Sequence, residues 1–124
     1  MAPLQTTMQG KICLITGANS GIGKATALGL ALMGATVVIV CRDRVRGEEA
    51  QREIQMKSGN DAVDLLLADL SSQQSIRQLV DTFRQRYTHL HVLINNAGAG
   101  FTQRRETVVR VTILCKSHFL RYLA

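Results

Sequence analysis

Thr16-Gly17-Ala18-Asn19-Ser20-Gly21-Ile22-Gly23 follows directly on the apolar run Ile12-Cys13-Leu14-Ile15 and leads into a stretch rich in alanine, leucine and glycine. An apolar run, a glycine-rich turn and a helix-forming stretch read as strand, phosphate loop and helix, the opening of a dinucleotide-binding βαβ unit. A pyrophosphate has to lie against backbone N–H groups at a helix N-terminus, and side chains there would hold it off. Gly17, Gly21 and Gly23 carry no side chain, the helix dipole favours the anion, and Asn19 and Ser20 offer short polar groups beside it. A P-loop is excluded, because Ala25 follows Gly23-Lys24 where that motif needs Ser or Thr, and Ala18 stands where it needs glycine. Lys24 reads as a solvated helix residue or an aid to phosphate binding.

Outward from this motif the chain alternates strand and helix patterns. Residues 11–16 are the first strand and 21–33 the first helix, with Gly21, Ala25 and Gly29 as the small residues that let it approach the sheet and Gly34 as its C-terminal stop. Residues 36–41 form a continuous β-branched run, the mark of a strand buried on both faces. A polar helix over 44–57 follows, with Glu48 and Arg52 placed to pair at i,i+4 and Gly59-Asn60 as its stop. The third strand is 62–67. A capping box from Ser71 to Gln74 opens the third helix, whose apolar face is Ile76, Leu79, Val80, Phe83 and Tyr87. Residues 91–94 are the fourth strand.

This alternation predicts an α/β, Rossmann-type three-layer fold with a partial parallel sheet of about four strands. Right-handed crossovers favour the strand order 3-2-1-4. Residues 1–98 read as a dinucleotide-binding half-domain. Residues 99–124 change character into a divergent basic tail, in which 108–114 is a β-branched run with partial period-two alternation and the helix expected there is not legible.

The net charge of +6 invites a nucleic-acid reading, but its location argues against one. Residues 1–98 hold ten basic and eight acidic side chains, whereas residues 99–124 hold five basic and one acidic. The excess belongs to the tail, and no aromatic residues interleave with a basic stripe, so specific nucleic-acid binding is not expected. No apolar run reaches the length of a membrane span, and residues 1–10 lack the pattern of a signal peptide. Cys13, Cys41 and Cys115 have no metal-like spacing and cannot all pair, which points to buried thiols in a reducing cytoplasm. His89, His91 and His118 form no ligand pattern, and no metal site is expected.

The remaining candidate residues stand at strand ends. Cys41-Arg42-Asp43 closes the second strand, where an NAD site puts an acid on the ribose 2′-hydroxyl. Arg42 lies closest to the strand tip and suits a 2′-phosphate held bidentately, so NADP(H) is the favoured cofactor; Asp43, one step on, keeps a weaker NAD reading open. Arg44 and Arg46 read as an ordinary solvated first turn. Asp69-Leu70 closes the third strand, its carboxylate suited either to an adenine amino group or to capping the next helix. Asn95-Asn96-Ala97-Gly98 closes the fourth, with Asn95 expected to clamp strand ends and Asn96 to face the ribose.

Together the glycine motif at 16–23, Asp69-Leu70 and Asn95-Asn96-Ala97-Gly98 resemble the short-chain dehydrogenase/reductase family over about residues 9–98, and Asn19-Ser20 with Cys41-Arg42-Asp43 is similar to its retinol dehydrogenase-like, NADP-preferring branch. The resemblance implies hydride transfer between NADP(H) and a small-molecule alcohol or carbonyl. It also implies that Gly17, Asn19, Ser20, Gly21, Ile22 and Gly23 hold the diphosphate, Arg42 the 2′-phosphate, Asp69 and Leu70 the adenine, and Asn96, Ala97 and Gly98 the ribose side. The family's downstream Ser and Tyr-x-x-x-Lys have no counterpart here: Tyr87 has His91 four residues on, and Tyr122 has no residue there. That chemistry needs a lowered-pKa acid/base and a donor to polarise the carbonyl. The expectation is therefore a truncated oxidoreductase that holds cofactor and does not turn over alone, with no catalytic residue assigned. The alternative is a non-enzymatic nucleotide-binding fragment, or one that forms homo- or hetero-dimers.

Overall fold

The computed structural model describes residues 7–96. They form β1 (Ile12–Thr16), α1 (Gly21–Leu32), β2 (Thr36–Cys41), α2 (Arg44–Ser58), β3 (Val63–Leu67), α3 (Gln73–Arg86) and β4 (Val92–Ile94). All three strand pairings are parallel and the sheet order is β3-β2-β1-β4, as the crossover rule predicts. Residues 97–124, with Ala97, Gly98, Cys115, His118 and the run at 108–114, lie outside the described residues.

The topology dictates the layers. The chain steps from β1 to β2 to β3 in one direction, so α1 and α2 fall on one face; the return past β1 to β4 carries α3 to the other. Two cores result. Cys13, Ile15, Val37 and Ile39 meet Ala27, Ala31, Ala50 and Ile54 on the first face. Leu14, Val38, Val40 and Leu66 meet Leu79, Val80 and Phe83 on the second. Successive residues of β1 and β2 thus point into different cores, and for that reason these strands carry no polar alternation.

Three local expectations are corrected. The small residues that bring α1 onto the sheet are Gly23, Ala27 and Ala31, all buried, whereas Gly21, Ala25 and Gly29 face solvent. The two sets lie on opposite sides of one helix, and a helix apolar nearly all round gives periodicity little to choose by. The cap of α3 is Ser72, whose hydroxyl accepts from the Ser75 N–H at 3.2 Å, so no box forms between Ser71 and Gln74. Glu48 and Arg52 form no ion pair among the described residues; the i,i+4 pair on α2 is Glu53–Lys57 at 2.7 Å. Exposed pairs gain little, so spacing alone does not decide which one forms.

Polar side chains tie the layers together. Lys24 Nζ on α1 sits 2.6 Å from Glu53 Oε2 on α2, so the residue read as a solvated helix position ties the two helices together. Asn60 donates to the carbonyls of Ala31 and Ala35 and accepts from the Ala62 N–H, closing the turn after α2 on the end of α1. On the other face the Tyr87 hydroxyl donates to Asp64 Oδ2 of β3 at 2.5 Å, and Arg86 joins the same oxygen at 3.2 Å. Burial, and then the Asp64 bond, push the Tyr87 hydroxyl well above its ordinary pKa, and the bond straps the end of α3 to β3. Burial also raises both described thiols, Cys41 to about 11. They are free and buried, as the cysteine spacing implied.

Two outcomes are expected. Gly29 is helical with nothing within 4 Å of an added Cβ, so Gly29→Ala should raise stability in a urea melt by about 0.5–1 kcal/mol. Lys24 and then Lys57 hold the Glu53 carboxyl down to about 2. A depressed pKa stabilises the fold above the ordinary carboxylate value of 4.5 and loses that contribution as pH falls towards 2. The stability gap between the wild-type chain and Glu53→Gln should therefore be present at neutral pH and close progressively below pH 4.5 in acid-titrated melts.

Candidate functional site

The carboxyl ends of the four strands are laced to one another. The Gly17 N–H donates to the Val40 carbonyl, and the Ala68 N–H to the Cys41 carbonyl, each at 3.0 Å. The Asn96 N–H donates to Thr16 Oγ1 at 3.1 Å. These bonds bring the loops after β1, β2, β3 and β4 to one rim, and the described candidate residues lie on it. The rim spans the place where the chain order reverses, between β1 and β4, which is where open α/β sheets form a crevice.

The glycine loop divides its labour. Gly17 and Gly21 have φ of +66° and +57°, a backbone that other residues adopt only at a cost. Beside Gly21 an added Cβ would meet nothing within 4 Å, so the loop is open to an approaching group there. Gly23 is different. A Cβ on it would stand 2.4 Å from both the Gly17 carbonyl and Asn96 Nδ2, so its missing side chain seats α1 against the loop and against β4.

The three helix N-termini also differ. Asp43 caps α2 through the Arg46 N–H, and Ser72 caps α3. At α1 the N-cap is Ser20, in extended backbone and with no side-chain cap bond. The first-turn N–H groups of α1 are thus not taken by a side-chain cap, and a helix N-terminus in that state favours negative charge. Ile22, in that first turn, is 79% exposed, which leaves an apolar side chain at the mouth of the same loop. Asn19 is half-buried and Ser20 exposed.

Arg42, exposed beyond the end of β2, is close enough to Asp69 for its charge to help hold that carboxyl below the ordinary range. The larger causes are the Ser71 hydroxyl and then the Ser71 N–H, which donate to Asp69 Oδ1 at 2.6 and 3.0 Å. Asp69 therefore braces the turn before α3 and leaves the capping of that helix to Ser72. Leu70, beside it, is half-buried against the second core. Asp43 is committed as an N-cap, which weighs against its use on a ribose hydroxyl.

The Asn96 carboxamide nitrogen donates to the Gly17 carbonyl at 3.3 Å, a clamping contact of the kind anticipated for Asn95. The sequence reading also missed Thr16, buried at 2% exposure, whose hydroxyl receives the Asn96 N–H. A single polar residue closing an apolar strand was the available signal. No group of three or more possible metal ligands occurs among the described residues, and no described helix is long and apolar enough to cross a membrane. An open groove of about 520 Å³ runs along the free edge of β3 between α2 and α3 and reaches Arg44 and Leu67 near this rim.

The comparisons with known proteins agree with this geometry. The family model described as short chain dehydrogenase matches residues 11–115. The chain is 47% identical over 104 residues to human dehydrogenase/reductase SDR family member 12, covering 84% of this chain and 32% of that protein. It is 50% identical over 91 residues to mouse retinol dehydrogenase 11, covering 73% and 29%. It thus spans about a third of the length of these curated relatives. Among solved structures, L-sorbose reductase from Gluconobacter frateurii complexed with NADPH and L-sorbose superposes with a TM-score of 0.84 at 28% identity, covering 95% of this chain and 48% of that one. A metagenomic short-chain oxidoreductase in complex with NADP superposes with a TM-score of 0.82 at 28% identity, covering 94% and 56%.

Gly23→Ala should force the loop and Asn96 apart. A loss of about 1–3 kcal/mol in a urea melt is expected, opposite in sign to the Gly29 substitution on the same helix.

Proposed function

The chain belongs to the short-chain dehydrogenase family, and on that premise we propose that residues 7–96 are the NADP(H)-holding part of an oxidoreductase acting on a small-molecule alcohol or carbonyl. The observation that carries this reading is the uncapped N-terminus of α1 behind Gly17 and Gly21, with Arg42 at the neighbouring strand end. The bound dinucleotide supplies the hydride chemistry. This chain's residues bind and orient it. The open N–H groups of α1 receive the diphosphate, with Asn19 and Ser20 beside it, and the helix dipole lowers the cost of bringing that charge in. Arg42 takes the 2′-phosphate, and its planar fork suits two oxygens at once. Asp69 and Leu70 take the adenine. Asn96, through its hold on Gly17, keeps the loop at the height the ribose side needs, and the resemblance assigns Ala97 and Gly98 to that same ribose side.

The residues that would move a proton are not assigned within this chain. Tyr87 is strapped to Asp64, and His91 stands four residues after it where the family's pattern has lysine. A polypeptide of these 124 residues is accordingly proposed to bind cofactor without turnover. The free, buried Cys13 and Cys41 fit a reducing compartment, and the cytoplasm is the proposed location.

Fluorescence titration with NADPH and NADH tests the reading. NADPH is expected to bind more tightly, and Arg42→Ala to weaken NADPH by about ten- to hundredfold, the span of a charge-assisted contact, with NADH little changed. Equal affinity for the two cofactors would refute the role of Arg42, and binding of neither would refute the nucleotide site.

A further inference from the structure

The edge of the sheet at β3 carries bonding capacity that the nucleotide reading does not use. The Val37 N–H donates to the Ala62 carbonyl and the Ala68 N–H to the Cys41 carbonyl, so Ala62, Asp64, Leu66 and Ala68 turn their backbone groups to β2. Backbone direction alternates along a strand, so Val63, Leu65 and Leu67 turn theirs outward. Folded proteins usually blunt such an edge. Here the blunting is confined to its two ends. The Gln51 and Gln55 carboxamides donate to the Val63 carbonyl at 2.8 and 3.3 Å, which is the bond that an added strand would make. Beyond the other end, the Asp69 N–H is taken by Ser75 Oγ at 2.8 Å. Between them, the outward groups of Leu65 and Leu67 have no partner among the described residues and face the open groove. The Leu67 side chain is exposed on the same edge.

We propose that this edge takes a second copy of the chain, the two β3 strands pairing antiparallel about a two-fold axis at Leu66 so that two sheets become one. The blunted ends select that register. In an antiparallel ladder outward residues must stand opposite outward residues. An axis at Leu65 sets the partner's Leu67 against Val63, whose carbonyl is occupied. An axis at Leu67 sets the partner's Leu65 against Asp69, whose N–H is occupied. An axis at Leu66 sets Leu65 against the partner's Leu67, and the two exchange both of their open backbone bonds. Charge favours the same occupant. Arg44 and Glu48 stand one turn apart on α2, and both line the groove. Gly47, between them, packs on Leu65: an added Cβ there would stand 2.8 Å from Leu65 Cδ1. The pair therefore flanks the open stretch of edge. A two-fold axis reverses the partner's α2, which brings Arg44 towards the partner's Glu48 and Glu48 towards the partner's Arg44, a self-complementary pattern. On the α3 side of the groove Gln78 and Thr82 are uncharged and Arg86 is bonded to Asp64, so no free like charge opposes the contact.

Sedimentation of the full 124-residue chain over a dilution series tests this, with amide hydrogen exchange measured alongside. The wild-type chain is expected to dimerise, and the Leu65 and Leu67 amides to gain protection with the dimer. Arg44→Glu and Glu48→Arg, each alone, set like charges across the axis and should each weaken the dimer by roughly tenfold or more. Mixed in equal amounts, the two variants should recover a heterodimer of about wild-type affinity, because every arginine then faces a glutamate. Such recovery also shows that both variants fold. A wild-type chain that stays monomeric at every concentration would overturn the proposal. Protection of Leu65 and Leu67 in that monomer would assign the edge to residues 97–124 instead. A dimer that neither charge reversal weakens would overturn it by moving the contact to another face, and so would two weakened variants that fail to recover on mixing. The cofactor titration above is independent of all these outcomes, so either reading can fail without the other.

Discussion

A parallel strand hydrogen-bonded on both sides has to be covered on both faces, and β1 imposes this constraint on the whole molecule. It pairs with β2 through five residues and with β4 through three, so its side chains have only the two faces of the sheet to enter. Parallel neighbours cannot be joined by tight turns, so each step requires a crossover helix, and the fixed hand of that crossover assigns the helix to a face. With β2 and β3 on one side of β1 and β4 on the other, α1 and α2 cover one face and α3 the second. The chain order reverses between β1 and β4, and the crevice at the carboxyl ends is where the glycine loop, Arg42, Asp69 and Asn96 assemble.

That crevice is stabilised by a few directional contacts. Thr16, Gly17, Gly23 and Asn96 form one unit: the hydroxyl of Thr16 takes the Asn96 N–H, the Asn96 carboxamide holds the Gly17 carbonyl, and Gly23 makes room for both. Every member is limited in size or in hydrogen-bonding capacity. The unit joins the first strand of the fold to the fourth, about eighty residues later, and sets the height of the loop relative to the helix dipole behind it. The titratable straps, Lys24–Glu53 and Tyr87–Asp64, lie elsewhere and serve the helix layers.

Much of this was legible in the chain. Residues 36–41, a β-branched run with no polar interruption, could only be a strand buried on both faces, and the structure puts β2 there without a shift at either end. Gly59 ends α2 in the left-handed conformation that its position after a polar helix suggested. The boundaries of the other elements fall within one residue of their patterns, because each is flanked by glycine, a short polar residue or a change of period. The side of α1 that meets the sheet was not legible. Gly21, Ala25 and Gly29 and the true contact set Gly23, Ala27 and Ala31 have the same spacing and nearly the same composition. Nor was the choice of cap between Ser71 and Ser72, since adjacent serines carry one signal and only the path of the turn selects between them.

The sequence by itself determined the class of fold, the strand order and the position of the nucleotide loop. These follow from local chemistry: the period of apolar residues, the conformational freedom of glycine and the fixed hand of a crossover all act within a short stretch of chain. The tertiary structure alone decided which residues of that loop are open and which are packing. Gly21 faces space while Gly23 meets Asn96, and Asn96 serves as a clamp because Gly17 lies beside it. It likewise decided that Lys24 belongs to Glu53 and that Asp69 is held at both ends by serines. Each of those outcomes is a contact between residues that local pattern does not relate, and its energy exists only once the sheet has brought the strand ends to a common rim.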